Sequence, residues 1–307
     1  MPLYLTESDV DGLLTPAEAV EVIEECFLRL ARGEVENMPR RRLRLEEGAL
    51  AVMAAADREL DLAGSKTYLA SGEGASFVVA LFAPGETVAV IEADRLGQLR
   101  TGAASGVAAR HLARAGATTL GVIGCGRQAE SQVACIRAAR PELERVVAYC
   151  RTPERLERFC ERAGAEPGES HRDPAEQEIV VTATTSSDPV LRGEWLRPGA
   201  LVCAMGANRR SARELDDVVL ERAAFVCCDS REQARNESGD LIEPIEHGVL
   251  DWLEVHELQE VVSGELDGRQ SDDDIVLFKS NGLAAWDVAI GAAAVERARE
   301  RGVGRQL

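Results

Sequence analysis

The amino-acid sequence predicts an α/β protein of two domains, a parallel-sheet domain beside a smaller α+β domain, on three observations. An apolar run, Leu120-Gly121-Val122-Ile123, stops at Gly124-Cys125-Gly126-Arg127-Gln128-Ala129, where a helical pattern begins. That helix should reach about Arg140, and Val146-Val147-Ala148-Tyr149 then reads as a second strand that completes a βαβ unit. Upstream, five strand-like segments lie between an amphipathic first helix and a helix rich in small residues, which is the pattern of a separate α+β domain.

The glycine turn carries the first functional reading. Gly124 and Gly126 let backbone N–H groups approach a ligand with no Cβ in the way, and the helix start adds the positive end of its dipole. A pyrophosphate could dock there, held by Gly124, Gly126, Arg127 and Gln128. Ala129 stands where the dinucleotide fingerprint has its third glycine, a replacement that the fingerprint allows. The parallel domain is therefore expected to be of the Rossmann NAD(P)-binding type. The rival reading is a turn that only joins strand to helix.

With 307 residues, 45% of them hydrophobic, the chain can build two cores. It has no apolar stretch of membrane-spanning length, and its first residues lack the basic segment and apolar core of a secretion signal, so a soluble, cytoplasmic protein is expected. Eight cysteines form no CxxC pair and have no histidine at metal-ligand spacing; free thiols and no metal are expected. A net charge of −18 argues against nucleic-acid binding, which needs a basic face. Lysine occurs only at Lys66 and Lys279, which makes each one conspicuous.

Taken in order, Thr15-Pro16-Ala17-Glu18 reads as an N-cap, a first-turn proline and an acidic first turn, opening a helix to about Arg32. In Met38-Pro39-Arg40-Arg41-Arg42-Leu43-Arg44-Leu45 the proline bars a helix and the alternation beyond it favours a strand, in which one arginine could face a pocket or all could form a solvated edge. Strand-like pieces follow at 49–54, 64–71, 76–83 and 87–91, with Pro84-Gly85-Glu86 as a hairpin turn. Lys66 lies among small and apolar residues; such a lysine usually snorkels to water, but its rarity here favours a functional role. Residues 94–115 read as one or two helices whose small residues allow close approach to another backbone or a ligand. Arg100 at the mouth of that segment is a candidate anion ligand, with a surface ion pair as the alternative.

The second strand of the nucleotide domain ends in Cys150-Arg151-Thr152-Pro153. An NAD-preferring site would carry an acid there to hold the ribose 2′-hydroxyl. Arg151 and Thr152 suit a 2′-phosphate instead, because a guanidinium pairs bidentately with phosphate oxygens, so NADP(H) is favoured with NAD(H) still possible. After a helix over 153–162, strands are expected at 178–183, 200–205 and 223–228. Their ends carry Thr184-Thr185-Ser186, Gly206-Ala207-Asn208 and Asp229-Ser230, which should line one cleft at the carboxyl edge of a parallel sheet, although the last pair reads better as a helix N-cap. A last strand over 275–278 leads through Lys279-Ser280-Asn281-Gly282 to a helix over 283–300. Its Ala-rich face could pack on the first domain, and Asp287, one turn in, could simply stabilise the helix start. The expected domains are 1–115, completed by 283–307, and 116–282.

Several stretches together resemble the ornithine cyclodeaminase/μ-crystallin family: Pro39-Arg40-Arg41, Lys66-Thr67-Tyr68, Leu99-Arg100-Thr101-Gly102-Ala103-Ala104-Ser105, the Gly124–Ala129 turn, Gly206-Ala207-Asn208 with Arg213-Glu214-Leu215-Asp216, and Phe278–Ala284. The resemblance implies a homodimer whose first domain supplies a mixed sheet for dimerisation and substrate binding. It also implies hydride transfer with nicotinamide at a carbon that bears nitrogen and adjoins a carboxylate, as in amino-acid dehydrogenases and ketimine reductases. By position, Arg41, Lys66 and Arg100 would hold the substrate carboxylate, Lys66 would also serve the proton, and Thr101, Thr184 and Ser280 would touch the cofactor. In the cyclodeaminases an aspartate matches Asn208 and acts on the substrate amine; an amide cannot exchange that proton, though it can orient a water or a nitrogen. Val52 stands near the position where the resemblance implies a glutamate that those enzymes use for the distal amine. An imino- or amino-acid oxidoreductase is therefore expected, with ornithine cyclodeaminase and a non-catalytic NADP-binding crystallin as the alternatives.

Overall fold

The structure, a computed structural model, describes residues 1–72 and 74–307. The chain divides into two compact units, Met1–Arg100 with Gly282–Leu307, and Thr101–Asn281. The helix Asp94–Leu112 runs through the division between Arg100 and Thr101.

The first unit is a seven-stranded mixed sheet in the order 305–306, 3–5, 86–92, 74–83, 62–71, 49–57, 35–44. Its strands are antiparallel neighbours except for Leu3–Leu5, which lies parallel to Glu86–Glu92. Thr15 caps the helix Pro16–Ala31 in a capping box with Glu18, as its sequence predicts. One sheet face is apolar and dry: Met53, Val79, Leu81 and Ile91 have no exposed surface. The helix Ala284–Arg301 packs on this face with its small residues, and its Trp286 meets Phe27 of the helix Pro16–Ala31 edge to face at 5.5 Å between ring centres. The opposite face exposes Leu43 (62%), Leu69 (41%), Val78 (38%) and Phe82 (42%), an apolar surface on a folded sheet.

Register decides which side chains reach the dry face. Lys66 pairs with Met53 and Val79, so it points into that face. The pairing of Val35–Arg44 with Ala49–Asp57 shifts between Met38 and Arg41, where the strand carries an extra residue. That bulge turns Arg40 to the buried face and leaves Arg41 opposite Val52 on the outer one.

The second unit is an eight-stranded parallel sheet in the order 255–257, 223–228, 275–279, 201–204, 179–182, 119–123, 145–149, 166–167. From the strand Thr119–Ile123 the chain runs first to one side, through 145–149 and 166–167, and then to the other, beginning at 179–182. That reversal puts a topological switch point at the carboxyl ends of Thr119–Ile123 and Ile179–Thr182, where open parallel sheets bind ligands. The small-residue helix does approach another backbone: a Cβ on Gly102 would lie 2.3 Å from the carbonyl oxygen of Ser131, in the helix Arg127–Ala139. Among the described residues no helix is long and apolar enough to cross a membrane.

Candidate active site

In the first unit a lysine, an arginine and an aspartate meet out of water. Lys66 Nζ lies 2.8 Å from Asp287 Oδ1, and Arg100 Nε lies 3.3 Å from the same oxygen. Lys66 is 3% exposed, Arg100 7% and Asp287 1%, so this is a buried cluster rather than a surface ion pair. The Lys66 ammonium also sits 5.5 Å from the centre of the Phe77 ring, and the Arg100 guanidinium 5.7 Å from that of Trp286. Burial lowers the Lys66 ammonium from its usual range to about 8; Asp287 opposes that shift, and Arg100 and Arg40 add to it. Two buried cations therefore share one carboxylate oxygen, so that Lys66, Arg100 and Asp287 together carry two positive charges to one negative, and the buried Arg40 is close enough to act on Lys66. A buried excess of this kind is costly unless an anion completes it.

The second unit supplies the other half of the chemistry at its sheet edge. Gly124 follows Ile123 with φ +108°, and a Cβ there would lie 2.5 Å from the carbonyl oxygen of Ala183, so glycine is required on both counts. Gly126 is the N-cap of Arg127–Ala139 and makes no side-chain cap hydrogen bond, and the space that a Cβ of Gly126 would fill is open. Gln128 Oε1 is buried with no hydrogen-bond partner among the described residues. A dinucleotide pyrophosphate fits these features: the start of a thirteen-residue helix, an open glycine before it and an unsatisfied amide beside it.

Behind the edge lies a second buried ionic network. Lys279 and Asp240 are both fully buried, with Lys279 Nζ 2.9 Å from Asp240 Oδ2 and 2.6 Å from the carbonyl oxygen of Ala207. Glu214 accepts from Thr182 Oγ1, from the N–H and hydroxyl of Thr184, and from the N–H groups of Gly206 and Ala207, at 2.6 to 3.3 Å. Burial pushes its carboxyl up, against the pull of Lys279. The loop that carries Asn208 is thus tied from both sides, its N–H groups to an acid and its Ala207 carbonyl to a lysine.

The predicted residues fall into three groups. Lys66 and Arg100 come together; Arg41 does not join them, because the bulge at Pro39-Arg40 sends it to the outer face and puts Arg40 in its place. Gly124, Gly126, Arg127 and Gln128 form the glycine turn, Arg151 and Thr152 follow the neighbouring strand as exposed residues, Thr101 is buried in its helix, and Asn208 is half-buried. Thr184 and Ser280 are turned inward: Thr184 donates its hydroxyl to Glu214 at 2.8 Å, and Ser280 donates its own to Asp229 Oδ2 at 2.9 Å. Their side chains fasten the sheet edge through buried acids. The N-cap in Asp229-Ser230 is Ser230, while Asp229 also accepts from the N–H of Asn281. Asp287, read from the sequence as a residue that could stabilise the start of its helix, instead meets Lys66 and Arg100.

Fold and site define a class, the NAD(P)-dependent oxidoreductases built from a Rossmann-type sheet and a mixed-sheet unit. A family model described as "Ornithine cyclodeaminase/mu-crystallin family" matches residues 2–302. The chain belongs to that family. It is 40% identical over 235 residues to Delta(1)-pyrroline-2-carboxylate reductase of Bacillus cereus, covering 74% of this chain and 71% of that one. The Delta(1)-pyrroline-2-carboxylate reductase of Thermococcus litoralis, solved in complex with NADH and L-proline, superposes with a TM-score of 0.94 at 33% identity, over 99% of this chain and 100% of that one. An archaeal alanine dehydrogenase dimer with bound NAD gives a TM-score of 0.92 at 32% identity, over 100% and 98%.

Proposed function

We propose that the protein reduces a small imino acid, or runs the reverse amino-acid oxidation, with a nicotinamide dinucleotide. The observation that carries this reading is the surplus of buried positive charge at Lys66 and Arg100, which an α-carboxylate would complete. The substrate carboxylate binds Lys66 and Arg100, with Arg40 rather than Arg41 as the third cation; fixing the carboxylate fixes the adjacent carbon and nitrogen. Gly124, Gly126, Arg127 and Gln128 would hold the pyrophosphate of the cofactor, whose nicotinamide would supply or accept the hydride when bound. Lys66 holds the proton for the substrate nitrogen. With Asn208 in the loop where a cyclodeaminase has an aspartate, the chain offers no acid there for amine chemistry, which favours imine reduction over ornithine cyclisation. The relatives named for pyrroline-2-carboxylate reduction and alanine oxidation support the same substrate class. The test is a panel of cyclic and acyclic imino acids with NADH and NADPH; turnover is expected for at least one, and loss of nicotinamide absorbance with none of them would refute the reading.

Between the two cofactors, the exposed Arg151 and Thr152 after the strand Arg145–Tyr149 favour NADPH by way of its 2′-phosphate. Arg151→Ala should raise the Kd of NADPH by about 10-fold or more, the worth of a charge-assisted contact, and leave that of NADH nearly unchanged. Equal weakening of both would remove Arg151 from cofactor choice. The apolar outer face at Leu69, Val78 and Phe82 is the surface for a homodimer, the state of the alanine dehydrogenase relative. Phe82→Glu should then halve the mass seen by sedimentation; an unchanged mass would put the interface elsewhere.

A further inference from the structure

We propose that Asp287 is the positioning residue of the carboxylate site, holding Lys66 and Arg100 side by side on one oxygen, and that Gly97 and Gly282 are glycines because those two cations occupy the space of their side chains. The inference rests on the reading of Lys66 and Arg100 as carboxylate ligands given above.

The geometry is specific at both glycines. A Cβ on Gly97 would lie 2.7 Å from Lys66 Nζ. Gly97 stands on the helix Asp94–Leu112 one turn before Arg100, so a single helix face makes room for one cation and presents the other. A Cβ on Gly282 would lie 2.6 Å from Arg100 Nη1 and 3.1 Å from Nη2, and Gly282 adopts φ +83°, which only glycine takes without strain. The obstructing atom at Gly97 is the free end of a flexible side chain. An alanine there can be accommodated by moving the ammonium, which preserves the fold and displaces the site.

Electrostatics gives Asp287 its task. A guanidinium stays charged in any protein environment, so between two neighbouring buried cations it is the lysine that yields its proton. The groups that face Lys66 are Asp287 from the last helix, Arg100 from the helix Asp94–Leu112 and Arg40 from the strand Val35–Arg44. Asp287 is the one acid among them, and its Oδ1 faces the cations while its Oδ2 is buried with no hydrogen-bond partner among the described residues. Without that carboxylate, Lys66 would lose its proton at lower pH and be less charged where the substrate needs it charged.

The sequence makes the test unusually direct, because Lys66 and Lys279 are the only lysines. Protein labelled with 13C at lysine Cε should show two signals, of which Lys66→Met removes one. In the cofactor-free wild type the Lys66 signal should titrate near 8. Asp287→Asn and Gly97→Ala should each lower that midpoint by about one pH unit or more, by removing the anion or by moving the ammonium off it. Both should also raise KM for the imino acid at least tenfold, and Gly97→Ala should melt like the wild type. An unmoved Lys66 midpoint in both variants would overturn the positioning role. The titration is read without cofactor or substrate, so a wild type that turns over no imino acid would refute the functional reading alone.

Discussion

Lys66→Met should lower kcat/KM for imino-acid reduction by about 10³-fold or more while leaving the protein as stable as the wild type. Two losses combine. A positioned proton donor contributes roughly 10²–10⁴-fold, and the missing cation also loosens the carboxylate. The fold should tolerate the change, because Lys66 is a buried cation whose burial already disfavours its charge, and Asp287 keeps Arg100 as a partner when Lys66 is gone. The dependence on pH follows from the same residue. Its ammonium is lowered to about 8, so it is protonated below that pH and neutral above it. Reduction, which needs the protonated form, should be level in neutral solution and fall as pH rises through about 8; oxidation, which needs the free amine, should rise over the same interval. Initial rates in both directions across that interval check the assignment. A wild-type profile with no break near 8, or a Lys66→Met enzyme of normal activity, would take the proton role away from Lys66.

The other lysine should behave in the opposite way. Lys279→Met should cost about 3–5 kcal/mol of stability, the usual penalty for removing one partner of a buried pair. It would leave Asp240 without its cation and Glu214 without the charge that opposes the effect of its burial, both fully buried, and would free the Ala207 carbonyl. Spread over a unit of this size, that is a fall in melting temperature on the order of 10 °C. Asp240→Asn placed on top of Lys279→Met should recover part of the loss, because it removes the stranded charge. Thermal and urea denaturation of the single and double variants decide the matter: a single variant as stable as the wild type would mean that the pair contributes nothing net.

The contrast between the two lysines shows what could be read from residues in a row. Rarity marked both, and the surrounding sequence separated them only after pairing was known: Lys66 meets a helix that starts more than 200 residues later, and Lys279 meets Asp240 and the Ala207 carbonyl. The Gly124–Ala129 turn was legible because its chemistry is local, a strand end, two glycines and a helix start within one short stretch. Arg40 was not. Strand alternation alone gives no sign of a bulge, and one extra residue exchanges the faces of Arg40 and Arg41. Thr184 and Ser280 were placed at the correct edge, but whether a hydroxyl looks outward or toward Glu214 or Asp229 depends on acids brought in from elsewhere in the fold. The strand Leu3–Leu5 was missed for the same reason: three residues become a strand by lying parallel to Glu86–Glu92. Asp287 was read by its position in a helix, where an acid near the N-terminus already has a sufficient reason to exist.

The central claim is that an α-carboxylate completes the buried charge of Lys66 and Arg100. A crystal structure of this chain with L-proline and NADH tests it most directly. The account predicts proline carboxylate oxygens at about 3 Å from Lys66 Nζ and the Arg100 guanidinium. A carboxylate bound elsewhere, with Lys66 and Arg100 paired to Asp287 alone, would contradict it.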